Sequence, residues 1–109
     1  MTFEPKGIIP AMVTPFHENE DLNENGVREI IRFLLKGGVH GIFVAGSQGE
    51  FWALSKEEKK RLFEIAVSEV DGKAAVYAGV GAESTREVVE LMSFAKDAGV
   101  DAASIITPY

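Results

Sequence analysis

Four short apolar runs alternate with three amphipathic stretches along the chain. The runs cover 8–13, 42–45, 74–80 and 102–106, are rich in Val and Ile, and are mostly continuous rather than alternating. Continuous runs of that length suit parallel strands buried on both faces. The stretches between them repeat at helical spacing. In the first, Val27, Ile30, Ile31, Leu34 and Leu35 fall at the i, i+3, i+4, i+7 and i+8 positions of one face. Asn23 is placed to cap its start and Gly37-Gly38 to end it. The second opens on Ser55 and Glu58, an S-x-x-E capping box, and turns Leu62, Ile65, Ala66 and Val70 inward. The third repeats the box with Ser84 and Glu87, presents Val88, Leu91, Met92 and Ala95, and stops at Gly99.

The predicted order is therefore β-α-β-α-β-α-β. Right-handed crossovers then make all four strands parallel and neighbours in sequence order. The helix-to-strand segment Gly37-Gly38-Val39-His40-Gly41 is echoed by Ala98-Gly99-Val100-Asp101-Ala102, as expected when one βα unit repeats. Both an open doubly wound sheet and a closed (βα)8 barrel fit this order. The last run is followed directly by Pro108-Tyr109, without the helix that would cover it. We therefore expect residues 1–109 to be the N-terminal portion of a single barrel domain that continues after its fourth strand.

Composition narrows the functions on offer. The 109 residues are 46% hydrophobic and 26% charged, without an apolar run long enough to cross a bilayer. A net charge of −6 disfavours nucleic acid and anionic membrane surfaces, though not a small anion held by local donors. Cysteine is absent, which excludes disulfides and thiolate chemistry within these residues. The opening 1–7 carries Glu4 and Lys6 and lacks the apolar core of a secretory leader, so a cytoplasmic location is the expectation.

In parallel α/β folds the chemistry gathers where strands end. Four segments qualify: Thr14-Pro15-Phe16, Gly46-Ser47-Gln48-Gly49-Glu50, Gly79-Val80-Gly81-Ala82 and Thr107-Pro108-Tyr109. The second carries the most information. Two glycines around two polar residues permit a turn whose backbone N–H groups point together, an anion nest suited to a carboxylate, although an ordinary strand-exit turn has the same composition. Gly79-Val80-Gly81 lacks the third glycine of a dinucleotide fingerprint, since residue 84 is Ser, and reads as a tight turn into a helix. His17 lies by topology on the strand-end side and His40 on the opposite side. Neither has ligand-spaced partners, so both read as surface histidines and no metal site is expected. Phe51 and Trp52 form a subunit contact or a lid, or else pack on the second helix. Tyr77 reads as core, and Glu57 to Arg61 as a solvated helix start.

With these motifs assembled, the chain resembles the dihydrodipicolinate synthase / N-acetylneuraminate lyase family. The opening Gly7-Ile8-Ile9-Pro10-Ala11-Met12-Val13-Thr14-Pro15-Phe16 is similar to its G-x-x-x-A-x-x-T-P-F strand. Gly46 to Glu50 is similar to its G-T-T-G-E turn, 78–85 to its A-G-x-G-x-x-x-T segment, and Thr107-Pro108-Tyr109 to the start of P-Y-Y. The resemblance implies a TIM barrel, assembled as a tetramer of tight dimers, and class I aldolase chemistry. In that chemistry a lysine forms a Schiff base with pyruvate or a related 2-oxo acid, and the enamine adds to an aldehyde. It implies neither a metal nor an organic cofactor.

Residue by residue, the resemblance makes Ser47 the hydroxyl of a proton relay and makes Ser47, Gln48 and Gly49 the carboxylate binders. Gln48 acts there chiefly through its backbone N–H. Tyr109 and Trp52 fall at the interface or the edge of the site. The relay tyrosines that follow and the Schiff-base lysine would lie after residue 109. Gln48 stands where the family usually has Thr. Phe51, Trp52, Lys56, Lys59 and Glu83 replace the small, His and Asn residues of lysine-inhibited members, so lysine feedback is not expected. The resemblance points first to a dihydrodipicolinate synthase, with an N-acetylneuraminate lyase or a 2-keto-3-deoxy sugar-acid aldolase as the alternative, and a non-catalytic half-barrel that pairs with a second chain as the alternative of another class. Seven lysines are present: Lys6, Lys36, Lys56, Lys59, Lys60, Lys73 and Lys96. None is expected at the end of a strand, and Lys56, Lys59 and Lys60 are expected in exposed helical turns.

Overall fold

Local signals decide the helices. In a computed structural model that describes residues 3–107, α1 spans Glu24–Lys36, α2 Lys56–Val70 and α3 Thr85–Ala98. The Asn23 side chain accepts from Gly26 N–H at 2.9 Å, taking up one of the donors that a helix start leaves unpaired. The α2 capping box is complete: Glu58 N–H donates to Ser55 Oγ (3.1 Å) and Ser55 N–H to Glu58 Oε1 (2.9 Å). At α3 only the forward half forms, Glu87 N–H to Ser84 Oγ at 3.2 Å, so the second box is a single cap.

Three strands follow their helices: β1 (Gly41–Val44), β2 (Ala75–Gly79) and β3 (Ala102–Ser104). They pair in parallel in the order β1-β2-β3, with Ile42 beside Val76 and Tyr77 beside Ala102. The first predicted strand is present only as a broken ladder. Gly41 N–H donates to Ile8 O, Phe43 N–H to Pro10 O and Met12 N–H to Phe43 O, around one parallel bridge between Ala11 and Phe43. Proline 10 sits where the ladder needs an N–H and has none, which accounts for the break. Sequence order and direction are nevertheless as expected across all four segments.

The two copies of the helix-to-strand repeat do the same work. His40 N–H donates to Ile8 O, and His40 Nδ1 accepts from Ile8 N–H at 2.9 Å. Asp101 N–H donates to Val76 O, and its carboxylate accepts from Val76 N–H at 2.8 Å. In each case a polar residue at the foot of one strand satisfies both backbone groups of a residue in the preceding strand.

The helices form one layer on one face. Ile42, Val44, Val76, Ala78 and Val80 are buried there with Leu62, Phe63, Ile65 and Ala66 of α2 and Val27 and Ile31 of α1. The other face is not closed: Phe43 and Tyr77 are half-buried, Ala11 is exposed and Val13 is 56% exposed. The expectation of strands buried on both faces is thus corrected, because no second layer lies over this face among the described residues. Met92, assigned to the buried face of α3, is 40% exposed for a related reason. Among the helices that one packs chiefly against α2, and its outer flank is open.

Salt bridges lace the helix layer. Arg61 forks onto Glu24 (3.0 and 2.9 Å), while Arg28 and Arg32 both reach Glu69 (3.2 and 2.9 Å). Lys56 reaches Glu90 at 3.0 Å. The hydrogen bond from Arg32 is the main cause that holds the Glu69 carboxyl below the ordinary carboxylate range, and Arg61 does the same for Glu24. The stretch 57–61 is therefore more than a solvated helix start.

Candidate functional site

The turn after β1 is built from strained and glycine backbone. Ala45 (φ 59°) and Glu50 (φ 54°) both adopt left-handed conformations and bracket the four residues between them. A side chain at Gly49 would stand 3.0 Å from Thr14 Oγ1 and 3.2 Å from Met12 O, so the turn's back is seated on the first segment. Across the sheet, a Cβ on Gly79 would come 2.1 Å from the Ala45 carbonyl oxygen. Glycine at 79 is what lets β2 approach the turn.

Inside the turn, Gly49 N–H donates to Gly46 O (3.1 Å) and Glu50 N–H to Ser47 O (3.1 Å). The N–H groups of Ser47 and Gln48 have no acceptor among the described residues. Both residues are exposed and line a cavity of about 340 Å3 at the strand ends, together with Phe43, Ala45, Phe51, Gly79, Gly81 and 104–106. Ile106 sits against Gly81, where a Cβ would meet it at 2.5 Å, and so brings the end of the fourth run to the cavity wall. Backbone donors without an acceptor among the described residues, and a hydroxyl, on a largely apolar wall suit a small carboxylate whose remaining atoms are uncharged.

Not every predicted residue is brought there. Gly49 is buried behind the turn with its N–H already used, so it serves the turn's shape and not the cavity. Trp52 is 61% exposed in the 3-10 turn Phe51–Ala53, whereas Phe51 is buried. Tyr109 lies outside the described residues. His17 lines neither this cavity nor the next and is held in a tight turn, donating its N–H to Asp21 O at 2.8 Å. His40 is exposed, as expected, with the structural role already given. Tyr77 lies on the open face, edge-on to Phe3 at 5.5 Å.

Lys59 requires a correction. Expected in an exposed turn, it is only 8% exposed, lies over the Phe51 ring at 5.5 Å and lines a second cavity of about 210 Å3 with Trp52, Glu83 and Glu87. Burial lowers its amine below the usual lysine range, with the Glu87 charge opposing. The signal was there: Lys59 stands three, four and seven residues before Leu62, Phe63 and Ala66, on the buried stripe of α2. Thr14 is a further residue of the site that the sequence does not single out. It is buried, and its hydroxyl donates to the Gly49 carbonyl at 2.7 Å. Among the described residues, no group of three or more His, Asp or Glu is placed to hold a metal, and no helix is long and apolar enough to cross a membrane.

Comparison with known proteins agrees with this architecture. A 4-hydroxy-tetrahydrodipicolinate synthase from Methanopyrus kandleri is 47% identical over 110 aligned positions, covering 100% of this chain and 37% of the relative. An N-acetylneuraminate lyase from Clostridium perfringens is 44% identical, covering 95% of this chain and 36% of the relative. The crystal structure of YagE from E. coli K12, described as a prophage protein of the dihydrodipicolinic acid synthase family in complex with pyruvate, superposes with a TM-score of 0.91. That match has 40% identity and covers 94% of this chain and 35% of that one. The chain thus spans little more than a third of the length of these proteins, and its fold is the corresponding part of a TIM barrel. A model of the dihydrodipicolinate synthetase family matches residues 4–109, and the chain belongs to that family.

Proposed function

We propose that this member of the dihydrodipicolinate synthetase family is the N-terminal portion of a pyruvate-dependent Schiff-base lyase or synthase. The leading assignment is 4-hydroxy-tetrahydrodipicolinate synthase, which condenses pyruvate with an aldehyde. The observation that carries the reading is that Ser47 and Gln48, whose N–H groups have no acceptor among the described residues, line an apolar strand-end cavity. The pyruvate complex of the E. coli relative supports it.

In this reading the two N–H groups hold the 2-oxo acid carboxylate, and the hydroxyl of Ser47 moves a proton at the reacting carbonyl. A lysine amine adds to the 2-oxo carbon and water leaves, giving an iminium. Loss of a proton from the adjacent carbon gives the enamine, which attacks the aldehyde carbon. That lysine is placed after residue 109, in the remainder of a (βα)8 barrel of which residues 1–109 form the first half. Lys59 has a lowered pKa but sits on α2 in the second cavity and not at a strand end. No cofactor enters the scheme. The full-length protein is assigned to the cytoplasm as a homotetramer of tight dimers, with Trp52 and Tyr109 at the interface.

A second reading, N-acetylneuraminate lyase, is favoured by the 44% identity to the Clostridium perfringens protein and by Gln48 in the position usually held by Thr. The two separate in one assay of the full-length protein: formation of 4-hydroxy-tetrahydrodipicolinate, or release of pyruvate from N-acetylneuraminate. We expect the first. Turnover of N-acetylneuraminate alone would transfer the assignment to the second.

A further inference from the structure

Thr14 is held far from the turn in sequence and against it in space. Its hydroxyl donates to Gly49 O at 2.7 Å across 35 residues, and its side chain is buried. The Gly49 carbonyl belongs to the same planar peptide unit as the N–H of Glu50, which donates to Ser47 O at 3.1 Å. The Ser47 carbonyl belongs in turn to the same peptide unit as the N–H of Gln48, which has no acceptor among the described residues. Thr14 O–H, the Gly49–Glu50 peptide and the Ser47–Gln48 peptide thus form one chain of hydrogen bonds with every donor facing the same way.

Such a chain does two things. Each link fixes the plane of the next peptide, so the Thr14 hydroxyl determines where the Gln48 N–H points. Donation into a carbonyl also strengthens the N–H at the far end of that peptide. Gly49 makes the contact possible, since a Cβ there would press on Thr14 Oγ1. Resting on the carboxylate reading given under Proposed function, we infer that Thr14 is a positioning residue for the substrate carboxylate and acts through two peptide planes on the Gln48 N–H.

The test uses the full-length protein that carries this segment. Thr14→Val removes the hydroxyl and keeps the shape, and Thr14→Ser keeps the hydroxyl. The expected result for Thr14→Val is a rise of about tenfold in the pyruvate KM with kcat changed less than about threefold, and Thr14→Ser stays within about threefold of the parent in both. Borohydride trapping with pyruvate should weaken in Thr14→Val, while trapping with pyruvamide, which lacks the carboxylate charge, should not. An unchanged pyruvate KM, or equal losses for pyruvate and pyruvamide, overturns the assignment, because a merely structural threonine would not distinguish the two. If Thr14→Val does not fold, Thr14→Ala removes the same hydroxyl and carries the same comparison. A parent protein that traps no pyruvate at all refutes the functional reading instead. Amide exchange then decides the role of Thr14 separately: faster exchange at Glu50 in Thr14→Val supports the hydrogen-bond chain, and unchanged exchange refutes it.

Discussion

On the helix side of the sheet, Ile42, Val44, Val76 and Ala78 are sealed from solvent. One residue along each strand, Phe43 and Tyr77 are half-buried, and in the first segment Ala11 and Val13 are exposed. The two faces have similar apolar composition but differ in what covers them. The helix face is covered over β1 and β2, since each crossover lays a helix over the strands it joins, while Ala103 of β3 stays exposed. The open face, with the Ser47–Gln48 turn at its rim, is apolar and, apart from Phe3 against Tyr77, uncovered among the described residues. A sheet that keeps hydrophobic residues on an uncovered face is built to be closed by something else, and in this family that is the rest of the barrel.

The largest expected effect separates the faces directly. Ile42→Ala should cost about 3 kcal/mol by urea denaturation in the isolated chain and in the full-length protein alike. Val13→Ala should cost less than about 1 kcal/mol in the isolated chain and more in the full-length protein, where a closed barrel would bury it. Equal costs for Val13→Ala in the two contexts would contradict closure.

Next in size is Gly79→Ala, which drives a methyl into the Ala45 carbonyl where the two regions meet at the site. We expect a loss of about 2 kcal/mol together with weakened pyruvate binding, because the turn must shift to accept it. Thermal melting and KM report the two effects separately.

Lys59→Met tests the cavity under Phe51 and Trp52 and should stabilise the protein by about 1 kcal/mol at neutral pH, as removal of an amine that burial disfavours in its charged form. Its folded-state pKa lies below the unfolded value, so between the two the unfolded chain binds the extra proton and stability rises with pH. The Lys59→Met variant should lose that rise, seen as a flatter dependence of the melting temperature on alkaline pH.

The smallest effect belongs to the salt bridges of the helix layer. Glu69 has its carboxyl pKa lowered by Arg32, so its stabilisation is present above the unfolded carboxylate pKa and is lost as pH falls through the folded value. Glu69→Gln should cost about 0.5 kcal/mol at pH 7 and nothing at a pH below both values, measured by denaturation at each pH.

What could be read in the sequence divides along the same line. Helices α1 to α3 and their caps depend on residues within a few positions of one another, and Asn23, Ser55 and Gly99 stand where periodicity put them. The turn at 46–50 announced itself through its glycines. What depended on distant partners did not. The seat of Gly49 on Thr14 joins residues 35 apart, and the break in the first strand follows from which ladder position Pro10 occupies. Lys59 is hidden in the sequence because the charge run around it outweighs its place on the apolar stripe. The open face is not legible because continuous apolar runs announce burial without saying whether the cover lies in the same segment.

One measurement bears most directly on the claim that Ser47 and Gln48 hold a 2-oxo acid for a lysine beyond residue 109. It is borohydride trapping with pyruvate on the full-length protein and on the 109-residue chain, followed by intact mass and peptide mapping. The expected result is one stoichiometric adduct on the full-length protein, at a lysine outside residues 1–109, and no specific adduct on the short chain. A stoichiometric adduct on any lysine of residues 1–109, Lys59 above all, or no adduct on the full-length protein, would contradict it.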